Sequence, residues 1–145
     1  MKLRYFILAA ICVLSLASCT KQDGGEVYLE VNRNNISGSW ELSTWNGKPL
    51  EEGSYFRITL VRNDGTFTIL QNLDAFPEYP REITGRYDLA DDDALGTVIS
   101  GIYDHDSGRW SHDYVISGLT STSMTWTAVD DGSFVQVFTR ESISE

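Results

Sequence analysis

The sequence predicts an all-β domain, an eight-stranded antiparallel up-and-down barrel that follows a cleaved N-terminal signal. Three observations predict it. From residue 36 to residue 140 no helical period of useful length appears, and apolar residues alternate with polar ones in short runs. Turn residues break those runs at short intervals, so neighbouring strands are expected to be antiparallel. The runs number eight, enough for a sheet to close on itself and remove its exposed edges.

Residues 1–18 read as the signal. Lys2 and Arg4 charge its start, residues 5–16 are almost wholly apolar, and the small residues Ala17 and Ser18 close it. The apolar run of about 12 residues is too short for a membrane-spanning helix, which needs about 20. Leu16-Ala17-Ser18-Cys19 resembles the lipobox of bacterial lipoproteins. The resemblance implies cleavage before Cys19, a diacylglycerol on its sulfur and an acylated amine. Several acyl chains, at about 0.8 kcal/mol per buried CH₂, anchor a protein firmly where one is marginal. Thr20 stands where an Asp would resemble an inner-membrane retention signal, so the outer membrane of a bacterial envelope is the expected location.

Charge and composition narrow the partners. With Lys2 and Arg4 removed, 9 basic residues face 21 acidic ones, a formal charge of −12. Such a chain repels phosphate backbones, and nucleic acid is excluded as an expected partner. A content of 41% hydrophobic and 12% aromatic residues is too apolar for a solvated, disordered chain. Both cysteines, Cys12 and Cys19, lie near the N-terminus, so the domain has neither a disulfide framework nor a thiolate zinc site.

Residues 19–35 read as the lipidated cysteine and a tether, with a weak alternation at Val27, Leu29 and Val31, and 36–145 as the barrel domain. The eight runs are 39–45, 55–63, 66–73, 82–90, 96–103, 109–117, 121–129 and 133–140. Asn46-Gly47, Asp64-Gly65, Ser107-Gly108 and Asp131-Gly132 supply turn dipeptides between them. Pro77 and Pro80 exclude residues 72–80 from a central strand. A two-residue Asp64-Gly65 loop predicts Leu60 opposite Ile69 and Ile58 opposite Gln71. It collects Phe56, Ile58, Leu60, Phe67, Ile69 and Leu73 on one oily face. In the run 109–117, Trp110, His112, Tyr114 and Ile116 are expected inward.

Gly38-Ser39-Trp40 opens the first strand and Arg140 closes the last. That pairing resembles the lipocalins, whose Gly-X-Trp packs beneath the barrel against a basic residue from the end of the last strand. A guanidinium over an indole face is a cation–π contact of about 0.5–2 kcal/mol. The stretch 36–140 resembles the lipocalin-like domain of small bacterial lipoproteins. The resemblance implies structural roles for Gly38, Trp40 and Arg140, and a closed end at Trp40. Its opposite mouth would be formed by residues 46–54, 73–81, 104–108 and 130–133.

The expected function is binding of a small neutral or cationic molecule at that mouth. The wall candidates are Trp45, Phe56, Tyr87, Trp110, His112, Tyr114 and Trp126, with Phe76 and Tyr79 as a lid. The rim carries Glu51, Glu52, Asp74, Glu78, Asp104, Asp106, Asp130 and Asp131, which disfavours anionic ligands. The alternative is a filled barrel that binds another envelope protein as an accessory or inhibitor subunit. No cofactor is expected. Asp104-His105-Asp106 and Asp91-Asp92-Asp93 read as solvated turns rather than metal sites, so no metal ligand is assigned. No nucleophile elbow, HExxH or phosphate loop is present, so no catalytic residue is assigned and the protein is not expected to be an enzyme.

Overall fold

The alternating runs build nine strands, and eight of them form the barrel. The computed structural model describes residues 25–73, 79–106 and 108–142. A single helical turn, α1 (Arg33–Ile36), precedes β1 (Gly38–Trp45), β2 (Lys48–Pro49), β3 (Phe56–Val61), β4 (Thr66–Gln71), β5 (Arg81–Asp92), β6 (Gly96–Tyr103), β7 (Tyr114–Ser117), β8 (Ser123–Ala128) and β9 (Val135–Arg140). Every strand pairs antiparallel with its neighbour, and β1 pairs with β9 to close the barrel. Strand β2 is the extra one. It folds back on the end of β1 through Asn46-Gly47, whose φ angles of 51° and 77° are both positive, as a tight hairpin requires.

The β3–β4 hairpin corrects the expected register. Ile58 faces Ile69, Leu60 faces Phe67 and Val61 faces Thr66. Residues 62–65 form a four-residue loop in which the Gly65 N–H donates to Val61 O at 3.2 Å and Gly65 has φ 61°. The loop is two residues longer than expected. A slip of two preserves the pleat, so Ile58, Leu60, Phe67 and Ile69 remain buried on one face. The last hairpin also differs. Gly132 is not among the positive-φ glycines. The turn is held instead by Asp131 Oδ1, which accepts from both the backbone N–H and the hydroxyl of Ser133.

The run 109–117 is broken. Val98 pairs with Val115 and Ile99 with Tyr114, a register that would set residue 112 opposite Gly101. Instead Ile102 bridges Arg109, and the Trp110 N–H donates to Gly101 O at 2.9 Å. Two extra residues bulge out of the wall between Trp110 and Tyr114. Trp110 therefore occupies the inward place opposite Gly101, and His112 is turned away. Gly101 is needed there: a Cβ would lie 2.1 Å from Trp110 Cε2.

The core fills the closed end. Trp40, Leu60, Phe67, Ile99, Met124 and Phe138 are all fully buried. Ile36 of α1 and Leu119 are buried beneath them, and Leu29 and Val31 pack against the same core. The Leu29 N–H donates to Leu119 O at 2.8 Å, so the segment expected to be tether lies on the barrel from Leu29 onward. Asn32 caps α1, its Oδ1 accepting from the Asn35 N–H at 2.9 Å. Among the described residues no helix is long and apolar enough to cross a membrane.

Candidate functional site

The strand directions bring the ends of β4, β6 and β8 and the starts of β3, β5, β7 and β9 to one rim. Inside that rim is a cavity of about 380 Å³, within the size range of small-molecule sites. It lies at the end where the mouth was expected. Its side walls are Ile58, Ile69 and Ile83, presented by the inward positions of β3, β4 and β5. Trp110 and Trp126 line it, with ring centres 5.7 Å apart. Tyr114 stands against both, at 6.4 and 5.5 Å. An aromatic chain from Phe67 through Trp110 and Trp126 to Phe138, with successive spacings of 5.1, 5.7 and 4.8 Å, separates the cavity from the filled closed end. Offset and tilted aromatic pairs of this kind contribute about 0.5–1.5 kcal/mol each beyond the area they bury.

Polar side chains supply about half of the described wall. Gln71 and Gln136 take the last inward position of β4 and the first of β9, and both are buried. Gln71 Oε1 accepts from the Leu73 N–H at 2.7 Å. Arg81, His105, Ser111 and Tyr103 complete the opening, with His105 stacked on Tyr103 at 5.6 Å. The Trp110 indole Nε1–H is buried without an acceptor among the described residues. Burial pushes the Tyr114 phenol up to about 12, with the nearby Tyr103 and Asp130 adding to the shift. The Tyr103 phenol is raised by burial as well, against a lowering by the Arg81 charge. Both phenols are therefore neutral hydrogen-bonding groups at physiological pH.

Of the expected wall, Phe56, Trp110, Tyr114 and Trp126 line the cavity. Trp45, Tyr87 and His112 do not. A bulge at Ser43 shifts the β1–β9 register between Leu42 and Thr44. The shift sets Trp45 opposite the inward Gln136, but at the last position of β1, where it stands at the rim, 37% exposed and edge-on to Phe134 at 5.4 Å. Tyr87 sits too far along the 12-residue β5. Its ring lies toward the closed end under the Arg33 guanidinium, and its OH donates to Val61 O. His112 is carried out by the 111–113 bulge. Its Nδ1 is 2.7 Å from Asp130 Oδ1, and its ring stacks on Phe134 at 4.8 Å. Tyr79 is 75% exposed. Phe76 and Cys19 lie outside the described residues, as do Asp74 and Glu78.

At the closed end Gly38, Trp40 and Arg140 meet. Arg140 Cζ lies 4.1 Å from the centre of the Trp40 ring. Its three nitrogens donate to Asn35 O, Ser37 O and Ser121 O at 2.6 to 2.9 Å. Trp40 Nε1–H donates to Ile36 O at 2.8 Å. Gly38 has φ 119°, and a Cβ there would meet Arg140 Nη1 at 2.7 Å.

None of the described rim carboxylates lines the cavity. Asp104 accepts from the Thr84 hydroxyl, Asp130 pairs with His112, and Asp131 holds its turn. Among the described residues no group of three or more His, Cys, Asp or Glu is placed to hold a metal ion. A wider groove lies outside the barrel between the β1 bulge and residues 49–54, open to solvent.

Gln71, Gln136, Arg81 and Tyr103 were not singled out from the sequence. A signal for the two glutamines existed. Each shares the inward period of its strand with buried apolar residues, Phe67 and Ile69 for Gln71 and Phe138 for Gln136. A polar residue on an inward position at the mouth end of a strand marks a wall that opens. No family model matches this chain, and no curated protein matches it.

Proposed function

We propose that this protein is a lipid-anchored, lipocalin-like lipoprotein of the bacterial envelope that binds a small, uncharged molecule in the mouth of its barrel. The observation that carries the reading is the half-filled interior. Apolar side chains fill the closed end, while a cavity of about 380 Å³ lined by both apolar and polar groups is left at the mouth. The Arg140–Trp40 contact and Gly38 support the lipocalin resemblance. The cationic option loses its support, because the described lining contains no carboxylate and its charged members are basic.

The anchor and the cavity fit one orientation. The chain reaches the barrel across its closed end, where Leu29 bonds to Leu119. Cys19 stands six residues before Gly25, a reach of about 20 Å at most. A lipid on Cys19 would hold the closed end near the bilayer and turn the mouth toward the aqueous compartment. Val27 and Tyr28, 68% and 69% exposed, would stand nearest the headgroups.

Native mass spectrometry on the protein purified from its own host's envelope tests the binding. The expected result is a reproducible excess mass, beyond the lipid anchor, that leaves on denaturation. A bare chain, together with capture of a specific envelope protein by crosslinking, would overturn it in favour of an accessory subunit.

A further inference from the structure

We infer that the molecule held in the mouth is a planar ring carrying a hydrogen-bond donor and acceptor side by side, a cyclic amide or amidine edge, read by the side-chain amide of Gln136. The inference rests on the binding reading above and deepens it.

Gln136 is the residue that carries this recognition. It is 8% exposed and lines the cavity. Its side-chain amide has no hydrogen-bond partner among the described residues, whereas its counterpart Gln71 is already engaged by Leu73. Nor is its amide sealed: among the described residues the one sealed side-chain polar atom without a partner is Trp110 Nε1. The amide of Gln136 therefore opens onto the cavity. An amide that faces a cavity without a protein partner hydrogen-bonds with water or with a ligand, and a ligand that displaces the water must reproduce those bonds. An amide presents one donor and one acceptor in a plane. Its best complement is an acceptor and a donor in the same plane, as when Gln reads the paired edge of adenine.

The surroundings supply the rest of the specification. Gln136 is flanked on the inner face of the neighbouring strand by Trp126, its direct cross-strand partner. Trp110 and Tyr114 stand within 5.7 Å of Trp126. Aromatic faces favour a flat, conjugated ring over a flexible chain. Charge argues the same way as the amide. No carboxylate lines the described wall, Arg81 already has a partner, and His105 lies exposed at the opening. A wall without a described carboxylate disfavours a cation, and a neutral polar edge suits the amide of Gln136.

The test uses phenanthridin-6(5H)-one, a flat tricyclic lactam, and its N-methyl derivative, which keeps the ring and the carbonyl but lacks the donor. Each is titrated against the purified protein in lipid nanodiscs, with quenching of Trp110 and Trp126 fluorescence as the readout and empty nanodiscs as the partition blank. The expected result is saturable quenching by the lactam, with the N-methyl form about tenfold weaker or worse. Gln136→Leu, checked for an unchanged circular dichroism spectrum, should bind both forms alike and weakly. Equal affinity of the wild-type protein for the two forms would overturn the recognition by Gln136 and leave mouth binding standing. Absence of quenching by both forms, and by 1-naphthol as a bare aromatic probe, would overturn mouth binding and this inference together.

Discussion

Arg140 lies over the face of Trp40, its Cζ 4.1 Å from the ring centre, while its three nitrogens bond to carbonyls of three different residues. One side chain thus ties the last strand to the first strand, to α1 and to the β7–β8 turn. Charged hydrogen bonds contribute about 1.5–3 kcal/mol each when buried, and the cation–π contact adds about 0.5–2. These are not additive, and the group is only partly buried. Arg140→Leu is expected to lower stability by about 2–3 kcal/mol in urea unfolding. Arg140→Lys should recover only part of that, because an ammonium cannot reach three carbonyls in one plane. A loss under about 0.5 kcal/mol for Arg140→Leu, the range of an ordinary surface change, would show that the closed end does not depend on this contact.

Gly101 and Trp110 form a second coupled pair. A Cβ at residue 101 would lie 2.1 to 2.5 Å from three atoms of the indole. Gly101→Ala is expected to cost about 1–3 kcal/mol by overpacking and to shift the tryptophan emission. The same change in a Trp110→Leu background should cost much less, a coupling that a double-mutant cycle measures directly. Equal penalties in both backgrounds would mean that the glycine serves its own backbone and not the ring.

Stability at alkaline pH should follow Tyr114. Its phenol is pushed up to about 12 from an ordinary 10.0, chiefly by burial. Below pH 10 the phenol is neutral whether the chain is folded or not, and the full stability is present. Between about pH 10 and 12 the unfolded chain loses the proton and the folded one keeps it, so stability falls as pH rises. Two pKa units correspond to about 2–3 kcal/mol. Tyr87 and Tyr103 are raised in the same direction, so Tyr114→Phe should flatten the slope without abolishing it. An unchanged slope in urea unfolding from pH 9 to 12 would refute the assignment.

Lipidation at Cys19 makes a mass-spectrometric prediction. The mature protein should begin at Cys19 and carry the added mass of a diacylglycerol and an amide-linked acyl chain. Cys19→Ala should lose the lipid and accumulate the uncleaved 145-residue chain. A wild-type protein that is cut near residue 18 but carries no lipid would assign the signal to ordinary secretion.

The strand pattern was legible in the chain because its period is local. Phe56-Arg57-Ile58-Thr59-Leu60 and Phe67-Thr68-Ile69 alternate apolar and polar residues, and a pleated strand sends alternate side chains to opposite faces. Water then sorts the faces. The same logic made the two-residue error in the β3–β4 loop harmless to burial, since a slip of two returns every side chain to its own side. The meeting of Gly38, Trp40 and Arg140 was expected through the resemblance to lipocalins, and the β1–β9 pairing brings the three together.

The wall of the cavity was legible only in part. Phe56, Tyr114 and Trp126 follow from the alternation of β3, β7 and β8, whereas Trp110 precedes β7 and takes its place opposite Gly101 through the bulge. His112 was carried out of the wall by the bulge at 111–113, and Trp45 was left at the rim as the last residue of β1. A bulge answers the contacts of the neighbouring strand, as Trp110 answers the missing side chain of Gly101, and nothing in the local period announces it. The sequence by itself determined the alternating period and the eight strands of the barrel. The tertiary structure alone decided which side chains surround an empty volume, because a cavity is what remains when residues distant in the chain fail to meet.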